Sequence, residues 1–246
     1  MARLVCIPVL AVLLTVTGCA GLPNEETSDG RPAVTTAPDA AALGTAAAEG
    51  AAGADGGLAL VEAVEQLTVK PEASVTYSRS AFRHWNAGLV EGDGCDTRAE
   101  LLIAEAVEKP TVGDGCKLTG GQWLSYYDEV TVTSASGLDV DHMVPLEEAW
   151  SSGAHAWTAE RREGYANDLD APRSLVAVTA KTNRSKGKRD IAEWLPPATS
   201  ALCTYLEDWT ATKLRWNLTI DQAEHDALAA RVKNCPDSAI TYEPAP

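Results

Sequence analysis

The chain has 246 residues and a formal net charge of −15 at pH 7, with 35 acidic against 20 basic residues. Such acidity argues against tight, non-specific binding to polyanions and against a role in packaging nucleic acid. The sequence contains neither Gly-x-Ser-x-Gly nor His-Glu-x-x-His, so a serine esterase and a zincin protease have little support.

Residues 1–19 have the pattern of an export signal. Arg3 precedes an apolar run from Leu4 to Val16, which is too short for a permanent membrane span. The ending Val-Thr-Gly-Cys resembles a bacterial lipobox, so we expect Cys19 to carry lipid on the outer face of the cytoplasmic membrane. An ordinary cleaved signal, with Cys19 unmodified, would instead give a secreted protein.

Residues 20–57 consist mainly of Ala, Gly, Pro, Thr and acidic residues, with few large apolar side chains. Such a segment cannot bury enough surface to offset its ordering entropy, which predicts a disordered tether. Residues 24–70 hold eight acidic and two basic residues, so this region contributes −6 to the net charge. Residues 58–246 remain as one folding domain by size.

The folding part alternates helical and strand patterns along the chain. Helices are predicted over 58–67, 78–85, a segment starting at Asp96 or Thr97, 146–151, a segment capped by Thr158, 179–186, 198–216 and 220–234, with a single helical turn over 191–195. Strands are predicted as a pair within 116–132, with Gly120-Gly121 as the turn, and at 138–142 and 175–178. Gly187 is expected to end the helix over 179–186.

Four cysteines lie in the folding part: Cys95, Cys116, Cys203 and Cys235. An even set in an exported chain predicts two disulfides, for which three connectivities are possible. We favour Cys95–Cys116 and Cys203–Cys235, because each pair brackets a local unit. No pair has Cys-x-x-Cys spacing, so we expect no structural zinc site.

The chemistry-bearing residues lie between Leu138 and Pro197. Asp141-His142 ends one short apolar run, and a second run at 175–178 leads into Asn183 on a basic segment. Residues 181–189 hold five Lys or Arg and no acid. One metal ion, one imidazole base and a cationic rim are sufficient to hydrolyse a phosphodiester bond.

Strand, long loop, strand and helix in this order resemble the ββα-metal unit of the His-Asn-His (HNH) endonucleases. Four strings are similar to the C-terminal domain of GmrSD-type restriction enzymes and its exported stand-alone forms: Asp-His-x-Val-Pro-Leu at 141–146, Leu-Val-Ala-Val at 175–178, Asn-Arg-Ser-Lys-Gly at 183–187 and Trp-Leu-Pro-Pro at 194–197. The resemblance covers about residues 68–236. It implies an α+β fold, with a ββα-metal core embedded in a mostly helical single domain that has two disulfides.

The resemblance also implies roles for individual residues. His142 resembles the general base, and Asp141 and Asn183 resemble the metal ligands. Oxygen ligands favour Mg²⁺ first, with Mn²⁺ or Zn²⁺ as alternatives. Ser174 stands where many members have an Asn that orients the base, so we expect either Ser174 or its neighbours Asn167 and Asp168 to hold the imidazole.

Four cations are expected to contact substrate phosphates: Arg184, Lys186, Lys188 and Arg98. The resulting expectation is a metal-dependent endonuclease that hydrolyses DNA, with RNA left open, and with little sequence specificity. We infer no protein partner, and the membrane is contacted only through the lipid on Cys19. The alternative is a catalytically weak or inactive HNH-fold surface-binding lipoprotein, and the unusual Ser174 keeps it open.

Overall fold

The computed structural model describes residues 57–90 and 92–246. The predicted signal, Cys19 and residues 20–56 of the predicted tether lie outside these ranges. Seven helices of four or more residues occur within them: α1 Leu60–Glu65, α2 Thr97–Glu105, α3 Leu146–Ser151, α4 Ala159–Ala166, α5 Ala180–Lys186, α6 Leu202–Trp216 and α7 Gln222–Arg231. None of the helices in this part of the chain combines the length and apolarity that crossing a membrane requires.

The strands form two-stranded antiparallel sheets with the pairs β1–β8, β2–β3, β4–β5 and β6–β7. Their bounds are β1 Leu58–Ala59, β2 Thr111–Gly113, β3 Lys117–Thr119, β4 Trp123–Ser125, β5 Val130–Val132, β6 Leu138–His142, β7 Leu175–Thr179 and β8 Ala239–Ile240. Helices and separate strand pairs in one chain confirm the predicted α+β class.

The β6–β7 pair and α5 form the centre of the structure. Asp141 pairs with Val176 and His142 with Leu175 in the antiparallel register. All five residues of β7 are buried, which explains the unbroken apolar run of its first four, 175–178. Helix α5 follows β7 directly and ends at Gly187, whose φ of +61° suits glycine. The two strands and the helix therefore match the predicted element order.

Alternate residues of β7 face two different cores. Val176 and Val178 belong to the larger core, which also contains the buried α6 residues Tyr205 and Trp209. Leu175 and Ala177 belong to a smaller core that includes α2. Because apolar material covers both faces of the strand, the sheet holds the end of β6 in a fixed position.

Local signals explain the helix starts. The Asp96 carboxylate accepts a hydrogen bond from the Ala99 amide at 2.8 Å and caps α2. The Thr158 hydroxyl accepts one from the Arg161 amide at 3.2 Å and caps α4. Both residue types are favoured at this position, so these boundaries follow from the sequence.

Two disulfides connect the predicted pairs of cysteines. Cys95–Cys116 has a Cα–Cα distance of 4.9 Å, and Cys203–Cys235 has one of 5.6 Å. The second disulfide joins the first turn of α6 to the residue that follows the helical segment at 232–234. The favoured connectivity is confirmed.

Two local predictions are wrong. The segment 116–132 does not form one hairpin around Gly120-Gly121. Strand β3 pairs with the preceding strand β2, and β4 pairs with the following strand β5. The two glycines, with φ of +68° and +89°, instead join strands of different sheets. The segment 78–85 contains only a short 3₁₀ turn at Arg79–Ala81.

Candidate active site

The end of β6 brings Asp141 and His142 to one pocket of about 320 Å³. Neighbouring residues of a strand point to opposite faces, so the two side chains can meet only where the strand ends. Here the strand stops at His142, and Pro145 precedes α3. Side chains from three other segments complete the lining, among them Tyr77, Arg79, Asn183, Arg184 and Lys188.

The imidazole of His142 is held by a backbone carbonyl. Its Nε2 lies 3.0 Å from the carbonyl oxygen of Ala166. A carbonyl can only accept, so Nε2 carries the hydrogen and Nδ1 carries the lone pair. The ring also stacks on Trp85, with centroids 5.7 Å apart and planes at 20°, and on Tyr165 at 6.2 Å. The position and the tautomer of His142 are thereby both fixed.

Burial keeps His142 uncharged. Removal from water lowers the pKa of its imidazole to about 3, and the Ala166 carbonyl opposes this only in part. The positive charges of Arg79 and Lys186 lower this pKa further. At neutral pH the ring is therefore uncharged and keeps the lone pair that a general base needs, but a pKa this far below the working pH makes it a weak base until a negative charge approaches.

The carboxylate of Asp141 is held from its inner side. The Tyr127 hydroxyl donates to Oδ2 at 2.7 Å, and the Lys186 ammonium donates to the same oxygen. Burial raises the pKa of the Asp141 carboxyl, whereas the charge of Lys186 lowers it. Because both contacts use Oδ2, the other oxygen is left for the pocket.

Lys186 does not lie on the cationic rim, so its predicted phosphate contact is wrong. Its side chain is completely buried, and its ammonium also donates to the carbonyls of His142 at 3.1 Å and Met143 at 2.7 Å. Thr182 and Lys186 are four residues apart and are the two buried residues of α5. Helical spacing therefore turns this lysine inwards.

The phosphate contact predicted for Arg98 is also wrong. Its guanidinium donates to the carbonyls of Ala135 at 3.2 Å and Leu138 at 3.0 Å, on the side of α2. Arg98 lines a different pocket from the one that contains His142. It fixes the start of β6 and makes no contribution to the rim.

None of the three predicted orienting side chains contacts the imidazole. The Ser174 hydroxyl donates to Asp168 at 2.6 Å, and Asp168 accepts both ends of a fork from Arg215. The Asn167 amide donates to the Arg83 carbonyl at 2.8 Å. The backbone carbonyl of Ala166, and not Ser174, orients the His142 imidazole. Every residue has a backbone carbonyl, so the sequence contains no signal for this acceptor.

Asn183 lies on α5 and lines the same pocket as Asp141. Its amide nitrogen is turned towards Asp139 at 3.4 Å, so its amide oxygen is not used in that contact. Within 57–90 and 92–246, no three His, Cys, Asp or Glu side chains are grouped to hold a metal. One carboxylate and one amide are oxygen donors of the kind that Mg²⁺ accepts while it retains several waters.

Two of the predicted phosphate ligands lie at the pocket rim, each in an ion pair. Arg184 contacts Asp139 at 3.3 Å, and Lys188 contacts Glu147 at 2.8 Å. Both cations are largely exposed, so these pairs are weak and can open to admit a phosphate. Tyr77 and Arg79 line the pocket and Trp85 stacks on His142, and none of the three was predicted as part of the site.

The model of the family described as GmrSD restriction endonucleases, C-terminal domain, matches residues 98–231. The chain belongs to this family. A protein of Arthroderma benhamiae, named as an uncharacterized secreted protein, is 39% identical over 170 residues, which cover 69% of this chain and 81% of that protein. No solved structure matches the chain significantly. The part matched to the GmrSD C-terminal domain contains Asp141, His142 and Asn183, whereas Arg79 and Trp85 precede it.

Proposed function

We propose that this GmrSD C-terminal-family protein is an HNH-type, metal-dependent endonuclease that hydrolyses phosphodiester bonds of DNA. The observation that carries the proposal is the state of His142. Its Nε2–H is bound to the Ala166 carbonyl, which leaves the lone pair on Nδ1, and the residue lines the pocket that also contains Asp141 and Asn183. Family membership adds the nuclease context.

In this mechanism Nδ1 of His142 accepts the proton of the water that attacks phosphorus. The imidazolium that forms keeps its hydrogen bond to Ala166 and is stabilised by the negative phosphate nearby. Arg184 and Lys188 leave their exposed ion pairs and contact the phosphates that flank the scissile bond. The ring stays in place through its stack with Trp85 and Tyr165.

Asp141 and Asn183 would hold the metal through one oxygen each. A bound Mg²⁺ supplies positive charge to the phosphate and to the departing oxygen. Lys186 keeps the Asp141 carboxylate turned towards the pocket by binding its other oxygen. The donor set favours Mg²⁺, with Mn²⁺ next, and gives Zn²⁺ the least support.

We further propose little base specificity and brief engagement of the substrate. The rim offers side chains for phosphates, and phosphate contacts position a nucleic acid without specifying its sequence. A net charge of −15 opposes long residence on a polyanion. The same phosphate chemistry extends to RNA, which makes it the second substrate to test.

Export of the protein is part of the proposal. The two disulfides are typical of an oxidising compartment, and the Arthroderma benhamiae relative is named as secreted. Lipidation of Cys19 would place the nuclease on the outer face of the cytoplasmic membrane. Incorporation of a labelled fatty acid by the wild type, but not by Cys19→Ser, would support this; equal labelling would contradict it.

The test of the nuclease is plasmid nicking by oxidised residues 58–246 with Mg²⁺, Mn²⁺, Zn²⁺ or EDTA. His142→Ala is expected to lower the rate at least about 100-fold. His155→Ala is the matched control, because His155 binds the Trp150 carbonyl outside the pocket. If a folded, disulfide-bonded sample fails to cleave the plasmid with every one of these metals, the enzyme proposal is rejected and an inactive surface-binding module is favoured.

A further inference from the structure

The segment 77–85 forms a wall of the pocket that the sequence did not assign to the site. It contributes Tyr77 and Arg79 to the lining. Trp85, at the end of the segment, stacks on His142 with a backbone φ of +61°. A bulky residue adopts this conformation only where its surroundings impose it. The segment is therefore held against the imidazole.

Arg79 differs from the other two exposed cations of the pocket. Arg184 is paired with Asp139 and Lys188 with Glu147. Within the described ranges Arg79 has no carboxylate at ion-pair distance. Its guanidinium Nη2 instead lies 3.2 Å from Nε2 of His84. Its charge is thus not neutralised by a neighbouring carboxylate.

His84 holds this arginine in a defined way. Its Nδ1 lies 2.9 Å from the Phe82 carbonyl and must carry the hydrogen, which leaves Nε2 as an acceptor for Arg79. The His84 ring meets the His142 ring edge to face, with centroids 6.4 Å apart. His84 therefore accepts a hydrogen bond from the arginine and holds it close to the ring of His142.

The neighbouring surface determines from which side a polyanion approaches. A larger concavity of about 620 Å³ adjoins the pocket and shares Tyr77, Glu147 and Lys188 with it. Six carboxylates line this concavity: Glu72, Glu147, Glu148, Asp190, Glu193 and Asp221. Like charge repels a phosphate backbone from that side. A phosphate backbone is therefore expected to approach the pocket from the side of Arg79.

We propose that Arg79 binds the phosphate at which cleavage occurs and that His84 is its positioning residue. Its remaining N–H groups can form two parallel bonds to the non-bridging oxygens, which a lysine cannot reproduce. This inference rests on the proposed nuclease function. Arg83, on the same segment, provides an internal control because it is paired with Glu163 at 3.1 Å and does not line the pocket.

The kinetic experiment uses the full-length protein and a labelled DNA duplex. Arg79→Gln is expected to lower kcat/KM by about 10- to 100-fold, and Arg79→Lys by less. Arg83→Gln should stay within about twofold of the wild type. His84→Phe should lower kcat/KM by about tenfold, and it should cause little further loss in the Arg79→Gln background because both changes remove one interaction.

The second readout is binding of the same duplex in EDTA, measured by fluorescence anisotropy at several salt concentrations. Loss of one phosphate contact lowers the slope of log affinity against log salt by about 1. We expect this change in Arg79→Gln and not in Arg83→Gln. Since the binding measurement does not require cleavage, it tests the phosphate contact of Arg79 even if the protein has no nuclease activity.

The outcomes separate the two proposals. Failure of the wild type to cut with any metal overturns the proposed function. An unchanged salt slope in Arg79→Gln overturns the assignment of Arg79, whatever happens to the rate. A loss of kcat/KM in Arg79→Gln that Arg83→Gln reproduces also overturns it. Loss confined to Arg79→Gln, together with the changed slope, supports it.

Discussion

Lys186 binds the carboxylate of Asp141 and, with the same ammonium, the carbonyls of His142 and Met143. The lysine lies on α5 and the acceptors lie at and just beyond the end of β6. One buried cation therefore connects the helix that carries Asn183 to the strand that carries His142, the proposed general base. It also supplies the opposite charge that a buried Asp141 requires.

Replacing Lys186 by Met should destabilise the fold severely. The change leaves Asp141 buried without a counter-charge, which costs about 3–5 kcal/mol in the free energy of unfolding. Lys188→Met, which breaks an exposed pair with Glu147, should change the free energy of unfolding far less. Urea denaturation measures both. Equal losses of stability in the two variants would mean that the buried pair contributes no more to the free energy of unfolding than the exposed pair does.

Asn183 should control the requirement for metal. Asn183→Ala removes one of the two proposed oxygen ligands and should raise the Mg²⁺ concentration for half-maximal cleavage by about tenfold or more. Asn183→Asp, which supplies a charged oxygen, should lower it. Asp139→Ala removes the neighbour of Asn183 without removing a proposed ligand. A shift in Asp139→Ala as large as in Asn183→Ala would contradict the assignment.

Trp85 should act through the orientation of His142. Trp85→Ala removes the stacked ring and should lower kcat by about tenfold or more with little change in KM, because a small misplacement of a catalytic group is costly. Trp85→Phe keeps an aromatic face and should retain more activity. The imidazole ¹⁵N resonances report the tautomer directly. An unaltered spectrum together with a lowered kcat would argue for a different role of the indole.

Asp208 should make stability fall as pH rises. Burial raises the pKa of its carboxyl to about 6, although Arg173 opposes the shift. The folded protein therefore holds this proton more tightly than the unfolded chain, and ionisation from about pH 4 to 6 costs folding free energy. The difference between wild type and Asp208→Asn should change by roughly 1 kcal/mol per pH unit in this window. Parallel pH curves would refute the assignment.

The central elements could be predicted because their local signals agree. Strand β7 is a short, β-branched apolar run, and α5 ends at a glycine with positive φ. Pro145 marks the end of the preceding strand segment. At 116–132 the same approach failed, since the choice of strand partner depends on β2, and the exposed β2 residues have no alternating pattern.

The site was predictable where a residue type carries the chemistry. Asp141, His142 and Asn183 do line one pocket, and their roles stay predictions. The acceptor at Ala166 could not be found, because every residue has a carbonyl. Lys186 was assigned to the surface from its basic neighbours, whereas its spacing from Thr182 was the signal that placed it inside.

The short pair β1–β8 has a consequence for the order of events during synthesis. Leu58 pairs with Ile240 and Ala59 with Ala239, so the first described strand bonds to the last. A chain that emerges from its amino end must wait for residues 239 and 240 before β1 finds a partner. Until then Leu60 and Val64 of α1, which are buried in the finished core, lack part of their covering. Completion of the domain is therefore a late step, and a chaperone that shields this apolar helix would act before it.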